Sequence, residues 1–427
     1  MVKTCPHHGT YRSVVWRGQV PFSDWTAGVP PMNEAEGLHC PENCGLCPEH
    51  IQGSCCVVLE VTKRCNLHCR FCFADAGEDT EPSYDSLLEA VRQIADRGSR
   101  PMLQLSGGEP TLRRDLPELV RAAKDSGIPY VQVNTNGIRL AEDTGLAQRL
   151  AEAGLDFVFL QFDGMDDRVY RTLRAKDLLK IKKQAVANCG AAGLAVTLVP
   201  AVAPDINLSS LGDIVKFAAD CSPVVRGVHF QPVSYFGRIP GGIPADEGRC
   251  TLDELLTALC DQTGLKVSDF APSRCDHPLC GFHGSFIAEQ GRLIPLTHGS
   301  TVPRRMITAE ENRDFTARRW LRSRKNGPVS GNADADILQE KTVLPVSGQK
   351  HKLRLDMKDS SVADMDVFLQ KVRSQSFTLS SMPFQDAMNL DAERLRRCSL
   401  HVFRGGDLIP LCAEYLTPAG QGRSQEE

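Results

Sequence analysis

The chain has 427 residues, of which 41% are hydrophobic and 24% charged, with a formal net charge of -4. That composition belongs to a soluble globular protein long enough for two or three domains, and its charge argues against a nucleic-acid partner. No run of 18 apolar residues predicts a membrane span, and "MVKTCPHHGTYRSVVW" lacks the basic start and apolar stretch of a signal peptide.

In chain order, residues 1–56 are rich in Cys, Pro, Gly and His, with little hydrophobic periodicity. Such a segment is expected to need metal to order it. From Cys56 a regular alternation begins. "CVVLEVT", "MLQLS", "YVQVN", "FVFLQFD", "LAVTLVPAV" and "GVHFQPV" read as buried strands. The helical patterns "LLEAVRQIADRG", "DLPELVRAAKDSG", "LAQRLAEAG", "DLLKIKKQAVANCGAAG" and "LGDIVKFAAD" separate them. Apolar strands alternating with amphipathic helices predict a parallel sheet covered by helices, either an open partial barrel or a doubly wound sheet. In both, active sites lie at the C-terminal strand ends. Beyond a linker at Gly241–Gly248, "TLDELLTALCDQTG" reads as a helix. "SFIAEQGRLIPLT" and "HVFRGGDLIPLC" read as hairpins turning at Gln-Gly and Gly-Gly. Polar, Gly-rich residues 325–352 predict a mobile insertion. The basic stretch Arg318–Gly327 reads as a solvated helix face.

There are 17 cysteines. An odd, clustered set in a chain with no export signal points to metal ligation in a reducing cytoplasm rather than to disulfides. "KRCNLHCRFCFADAG" places Cys65, Cys69 and Cys72 in a C-x3-C-x2-C array directly after the first strand. Three thiolates bind three irons of a [4Fe–4S] cluster and leave the fourth iron open to substrate or cofactor, as catalytic zinc sites keep one position open. The bland alternative is a structural zinc site. It lacks a nearby fourth ligand, and His68, wedged between two thiols, is awkwardly placed to serve. One βα unit later, "LSGGEPTL" closes the second strand. Gly107 and Gly108 permit close approach of a ligand to the backbone, and Glu109 is a candidate acceptor for an ammonium group. "NTNG" (Asn134 to Gly137), Gln161 and Asp163 lie at later strand ends as candidates for ribose or substrate contacts. Turn chemistry explains Asn134 and Asn136 nearly as well, and helix capping is the alternative for Gln161 and Asp163.

Cys40, Cys44 and Cys47 repeat the C-x3-C-x2-C spacing, followed by the adjacent pair Cys55 and Cys56. Four thiols close a site, and spacing alone leaves a fully ligated cluster and a zinc site open. Cys275, Cys280, Cys398 and Cys412 make a further four, against the alternative of unrelated buried thiols. That alternative is kept for Cys398 and for Cys189, Cys221, Cys250 and Cys260.

With its cysteine motif, Phe71 before the third Cys, and the Gly-Gly-Glu-Pro turn through Pro110, the sequence resembles the radical S-adenosylmethionine (SAM) superfamily. The resemblance implies a partial (β/α)6 barrel over residues 57–240. It implies a Cys-rich segment over 1–56 and an irregular α+β iron–sulfur domain over 241–427. It also implies reductive cleavage of SAM to a 5′-deoxyadenosyl radical that abstracts hydrogen from an unactivated carbon. Phe71, Gly107, Gly108, Glu109, Pro110, Asn134, Gln161 and Asp163 would then serve SAM. More narrowly, "CPENCGLCPEH", "LQFDG", "VYRTLR", "CDHPLC" and "DAERLRRCSLHVFRGGDLIPLC" resemble a subgroup that includes dihydropterin methyltransferases and tetraether-lipid synthases, over about Cys5 to Leu416. This subgroup implies two auxiliary [4Fe–4S] clusters, one on Cys40, Cys44, Cys47 and Cys55, the other on Cys275, Cys280, Cys398 and Cys412. It also implies methyl transfer or carbon–carbon bond formation, a small-molecule or lipid substrate, and an electron donor such as ferredoxin or flavodoxin. The chain departs from larger members in keeping only Cys5, His7 and His8 of an N-terminal metal knuckle. Cys56 stands where those members are aliphatic, resembling the bacterial TrsS branch, which makes the Cys55–Cys56 pair a candidate redox or attachment site; that Cys56 simply opens the first strand is the equal alternative. A peptide maturase and an iron–sulfur electron carrier are the other readings. The Gly-Gly-Glu turn argues against a carrier, which needs no ammonium-binding turn.

Overall fold

The computed structural model describes residues 1–7, 9–27, 50–77, 81–240, 248–296, 306–321, 372 and 374–415. The expected insertion at 325–352, and Cys40, Cys44 and Cys47, lie outside them.

Six strands form the centre: β1 (Cys56–Thr62), β2 (Met102–Gly107), β3 (Val131–Thr135), β4 (Phe157–Gln161), β5 (Ala195–Val199) and β6 (Val225–Pro232). Each pairs in parallel with the next. Strand order therefore follows chain order with no reversal. A doubly wound sheet reverses at its switch point, so the arrangement is the partial barrel. Residues alternate strictly across the strands. Val57, Leu59 and Val61 of β1, with Leu103 and Leu105 of β2, face outward. There they pack with Leu87, Val91 and Ile94 of helix Tyr84–Ala95 and with Leu119 and Val120 of helix Leu116–Asp125. The alternate positions face the lumen and are more polar than the strands as a whole suggest: Gln104, Gln132, Asn134, His229 and Gln231 all line it.

The C-terminal region does not stand apart. Ser376–Ser381 pairs in parallel with β6, and Phe282–Glu289 and then Phe270–Pro272 extend that edge. At the other edge Leu400–Arg404 pairs in parallel with β1 and turns back as a hairpin through Gly405–Gly406. Residue 240 thus marks a break in the rhythm of the chain and not in the sheet, whose two open edges are covered. Helix Ala309–Trp320 begins with a capping box at Thr308. It seats Ala317 and Trp320 against Cys56, Met102, Phe157 and Ala195, the first residues of four strands. It therefore closes the N-terminal mouth of the barrel. In its last turn Trp320 is buried and Arg319 lies over Phe315 while Arg318 is exposed, and residues 322–327 of the basic stretch lie outside the described residues.

The N-terminal segment is also anchored in part without metal. Trp25 is buried in the main core and donates to the Pro278 carbonyl, and Arg17 pairs with Glu254. Large aromatic area supplies what the segment lacks in periodicity.

Candidate active site

The loop after β1 and the turn after β2 are bonded to each other. Gly108 N–H donates to the Thr62 carbonyl at 2.7 Å and Glu109 N–H to the Arg64 carbonyl at 2.8 Å. A Cβ on Gly107, whose φ is +112°, would strike the Thr62 carbonyl, and one on Gly108 the Arg64 carbonyl. The glycines are therefore required by the close approach of the cysteine loop itself, a reason distinct from the expected approach of a ligand. On its far side the loop is held by residue 238. Cys72 and Arg238 exchange backbone hydrogen bonds at 2.9 and 3.0 Å, and the Arg238 guanidinium reaches the Cys69 and Ala76 carbonyls. Gly237, at φ +63°, passes under the Cys72 and Phe73 carbonyls where a side chain would not fit.

Cys65, Cys69 and Cys72 thereby line one pocket at the C-terminal strand ends. They share it with Phe71, Gly107, Gly108, Glu109, Asn134 and Gln161. Burial pushes the Cys65 thiol up to about 11, with Glu109 and the two other cysteines adding to the rise, and burial also raises Cys72. Such thiols give up their protons to a bound cation cluster rather than to water. Among the described residues no three His, Cys, Asp or Glu side chains converge closely enough to hold a single metal ion. His68 is exposed. Three thiols spread around one pocket fit a polynuclear iron–sulfur cluster and do not fit a closed zinc site.

The remaining candidates divide. Asn134 Oδ1 is buried with no hydrogen-bond partner, an acceptor on the pocket wall. Asn136 is occupied as turn chemistry predicts: its Oδ1 accepts from Ile138 N–H and its amide donates to Asn66. Glu109 is 1% exposed. Its Oε1 accepts from Thr111 N–H, Thr111 Oγ1 and Thr135 Oγ1, and its Oε2 from Asn136 N–H at 2.7 Å. It ties the β2 turn to the end of β3, and this places its carboxylate in the fold before any ammonium arrives. Pro110 opens a buried 3-10 turn and does not line the pocket. Asp163 is a correction. It neither lines the pocket nor caps the next helix, whose cap is Asp166. It is fully buried, clamped by Arg174 at 2.8 Å through both oxygens and by Ala201 N–H, and it is Arg174 that reaches the pocket. Sequence reading missed Arg174, Arg238 and Lys182. Lys182 is fully buried, donates to the Asn136 carbonyl and to Gln161 Oε1 at 3.0 Å, and is lowered to about 8 by burial. Its signal was available: it falls on the apolar face of its helix with Ala185, Val186 and Cys189.

A second chamber continues down the lumen, sharing Phe73, Asn134, Phe159, Gln231 and Phe384 with the first pocket. Cys55, Cys56 and Cys280 open onto it. Burial pushes Cys56 up to about 12 with nothing to offset it, which makes it a poor nucleophile. Cys275 packs against Cys55, apart from the group around Cys412. Cys189 is buried in the main core, and Cys221, Cys250 and Cys260 pack against it.

The profile of the radical SAM superfamily matches residues 59–218. The chain is 31% identical over 445 residues to the 7,8-dihydro-6-hydroxymethylpterin dimethyltransferase of Methanocaldococcus jannaschii, covering 96% of this chain and 87% of that protein. It is 34% identical over 216 residues to a probable GTP 3′,8-cyclase of Sulfurisphaera tokodaii, covering 50% of this chain and 67% of the cyclase. Among solved structures, Streptococcus suis SuiB matches at a TM-score of 0.39 and 16% identity, over 45% of this chain and 42% of that one. Methylornithine synthase matches at 0.38 and 16%, over 49% and 64%.

Proposed function

The chain belongs to the radical SAM superfamily, and on that premise we propose that it generates a 5′-deoxyadenosyl radical to functionalise an unactivated carbon, in the service of methyl transfer or carbon–carbon bond formation. The observation that carries the reading is the direct bonding of the three-cysteine loop to the Gly-Gly-Glu turn over one shared pocket. When bound to Cys65, Cys69 and Cys72, a [4Fe–4S] cluster supplies the electron for reductive cleavage of SAM.

The chain's own contribution is placement and exclusion of water. Glu109 holds the ends of β2 and β3 in register. Asn134 offers a free acceptor at the pocket wall, and Lys182 holds Gln161 at the end of β4. Phe71, Phe73, Phe236 and Phe384 form an apolar rim, a setting that shields a carbon radical from solvent. The lumen chamber below is the room for a substrate. The methyltransferase relative makes a reduced pterin the first compound to assay. A ferredoxin or flavodoxin is the expected donor, in a reducing cytoplasm. Among the described residues no helix is long and apolar enough to cross a membrane.

The test is anaerobic reconstitution, then SAM and dithionite, with 5′-deoxyadenosine quantified. Changing Cys65, Cys69 and Cys72 together to Ala should abolish its formation. Unchanged cleavage would overturn the proposal.

A further inference from the structure

The lumen chamber carries polar atoms that the fold itself does not use. Gln132 Oε1, Thr378 Oγ1 and Ser381 Oγ are buried without a hydrogen-bond partner among the described residues, and each belongs to a side chain on the chamber wall. The three residues are 1%, 6% and 3% exposed. Asn134 Oδ1, at the neck shared with the first pocket, is in the same state. A neighbour orients the Gln132 carboxamide. Gln104 stands opposite it in the β2–β3 register, and the Gln132 NH2 donates to Gln104 Oε1. The Gln132 oxygen is left over. All four atoms accept hydrogen bonds, and the two amide oxygens can do nothing else. Unmet buried acceptors are rare in native folds, and here they share one cavity. A ligand bearing N–H groups satisfies them, whereas hydrocarbon leaves them orphaned. The other walls are aromatic. Phe159 lies 4.7 Å from Trp320 and 5.8 Å from His229, ring centre to ring centre. Such faces favour a flat donor over a polyol. The charged groups on the wall are engaged within the protein: Arg319 lies over the Phe315 ring at 3.6 Å, and Asp276 accepts from Ser399 N–H at 2.7 Å. Burial holds His229 down at about 4, so it stands neutral. The chamber has a volume of about 160 Å³. A cavity of about 150 Å³ takes a benzene ring, so the size suits one small ring system.

We propose that this chamber binds a neutral, planar nitrogen heterocycle by its ring N–H edge, read by Gln132 with Thr378 and Ser381, and that it rejects an alkyl chain. Carboxamides suit this task because their donor and acceptor match the N–H and carbonyl edge of a flat lactam, as they match base edges in nucleic acids. The choice between a small-molecule and a lipid substrate thus falls to the small molecule. Gln132 lines only the chamber, while Asn134, two residues further along β3, also lines the first pocket. The ring edge away from Gln132 therefore points through the neck toward the three thiols, and the reacting carbon lies on that side. The inference rests on the proposed function only in taking the chamber as the place of the substrate.

The experiment measures binding to the full, anaerobically reconstituted chain by titration calorimetry. The probes are lumazine, a flat dilactam with ring N–H groups; 1,3-dimethyllumazine, the same ring with those groups capped; and dodecanol. Lumazine should bind at least about tenfold tighter than its dimethyl form, and dodecanol should not displace it. Gln132→Met should abolish the preference. That change also takes a donor from Gln104, so Thr378→Val serves as the second variant. The Thr378 hydroxyl makes no hydrogen bond among the described residues. Its loss should weaken lumazine about tenfold without lowering the melting temperature. Equal affinity for the two lumazines, or a preference and an affinity that survive both substitutions, would overturn the proposal. So would displacement of lumazine by dodecanol, or no binding of lumazine at all. Formation of 5′-deoxyadenosine by the unaltered chain tests the radical step separately, because ring binding requires no cleavage of SAM.

Discussion

Glu109→Gln separates two roles that the turn leaves superimposed. If Glu109 serves only to accept an ammonium group, the substitution weakens SAM binding and leaves the ligand-free protein untouched. The structure argues for more. Oε1 carries three donors, so the amide oxygen of glutamine stays on that side and its NH2 turns toward Asn136 N–H. A donor then faces a donor in a site 1% exposed. An orphaned buried N–H costs about 1–3 kcal/mol, and hydrogen bonds to a charged acceptor are at the upper end of the range. A loss of about 2 kcal/mol is expected before any ligand is added, seen as a fall in melting temperature of roughly 2–3 °C for a unit of this size. The assay is thermal unfolding of the metal-free protein in parallel with SAM binding to the reconstituted one. An unchanged melting temperature with weakened SAM binding would refute the tie between β2 and β3 and restore the simple ammonium contact.

Trp320→Ala removes the plug of the barrel, where the indole sits 4.7 Å from the Phe159 ring and 5.6 Å from the Phe157 ring. A loss of about 3–5 kcal/mol is expected in denaturant titration, together with more SAM cleavage uncoupled from product; wild-type stability would show that the helix does not close the lumen. His229 is held down at about 4 by burial. The unfolded imidazole takes its proton near 6.5 and the folded one does not, so this stability is complete above pH 6.5 and is lost as pH falls toward 4, up to about 3 kcal/mol. His229→Gln should flatten that part of the acid limb in denaturant melts, and an unaltered slope between pH 6.5 and 4 would exclude the assignment.

The alternation of strand and helix from residue 56 to 233, the placement of Cys65 after β1 and the turn after β2 were all legible in the sequence. They depend on local periodicity and on neighbours a few residues apart. The strict order of the six strands was not. Sequential and doubly wound sheets use the same βα units and differ only in which edge each new strand joins. The reasons behind the residues were also partly hidden. Gly107 and Gly108 look like room for a ligand, yet the atoms they would strike are carbonyls of Thr62 and Arg64, some forty residues earlier. Asp163 looks like a strand-end contact because its partner Arg174 lies on the following helix. The lumen-facing Gln104, Gln132, Asn134, His229 and Gln231 stand at alternate strand positions, masked by the apolar residues between them. Local pattern in the chain fixes the chemistry available: which elements form, and which thiols stand at the edge of the sheet. Which groups stand together follows from the three-dimensional packing. It set Cys275 beside Cys55 and brought strands from residues 376–404 to both edges of the six-strand sheet. Those pairings join residues far apart in the chain, and no local preference of the backbone or of a side chain encodes them.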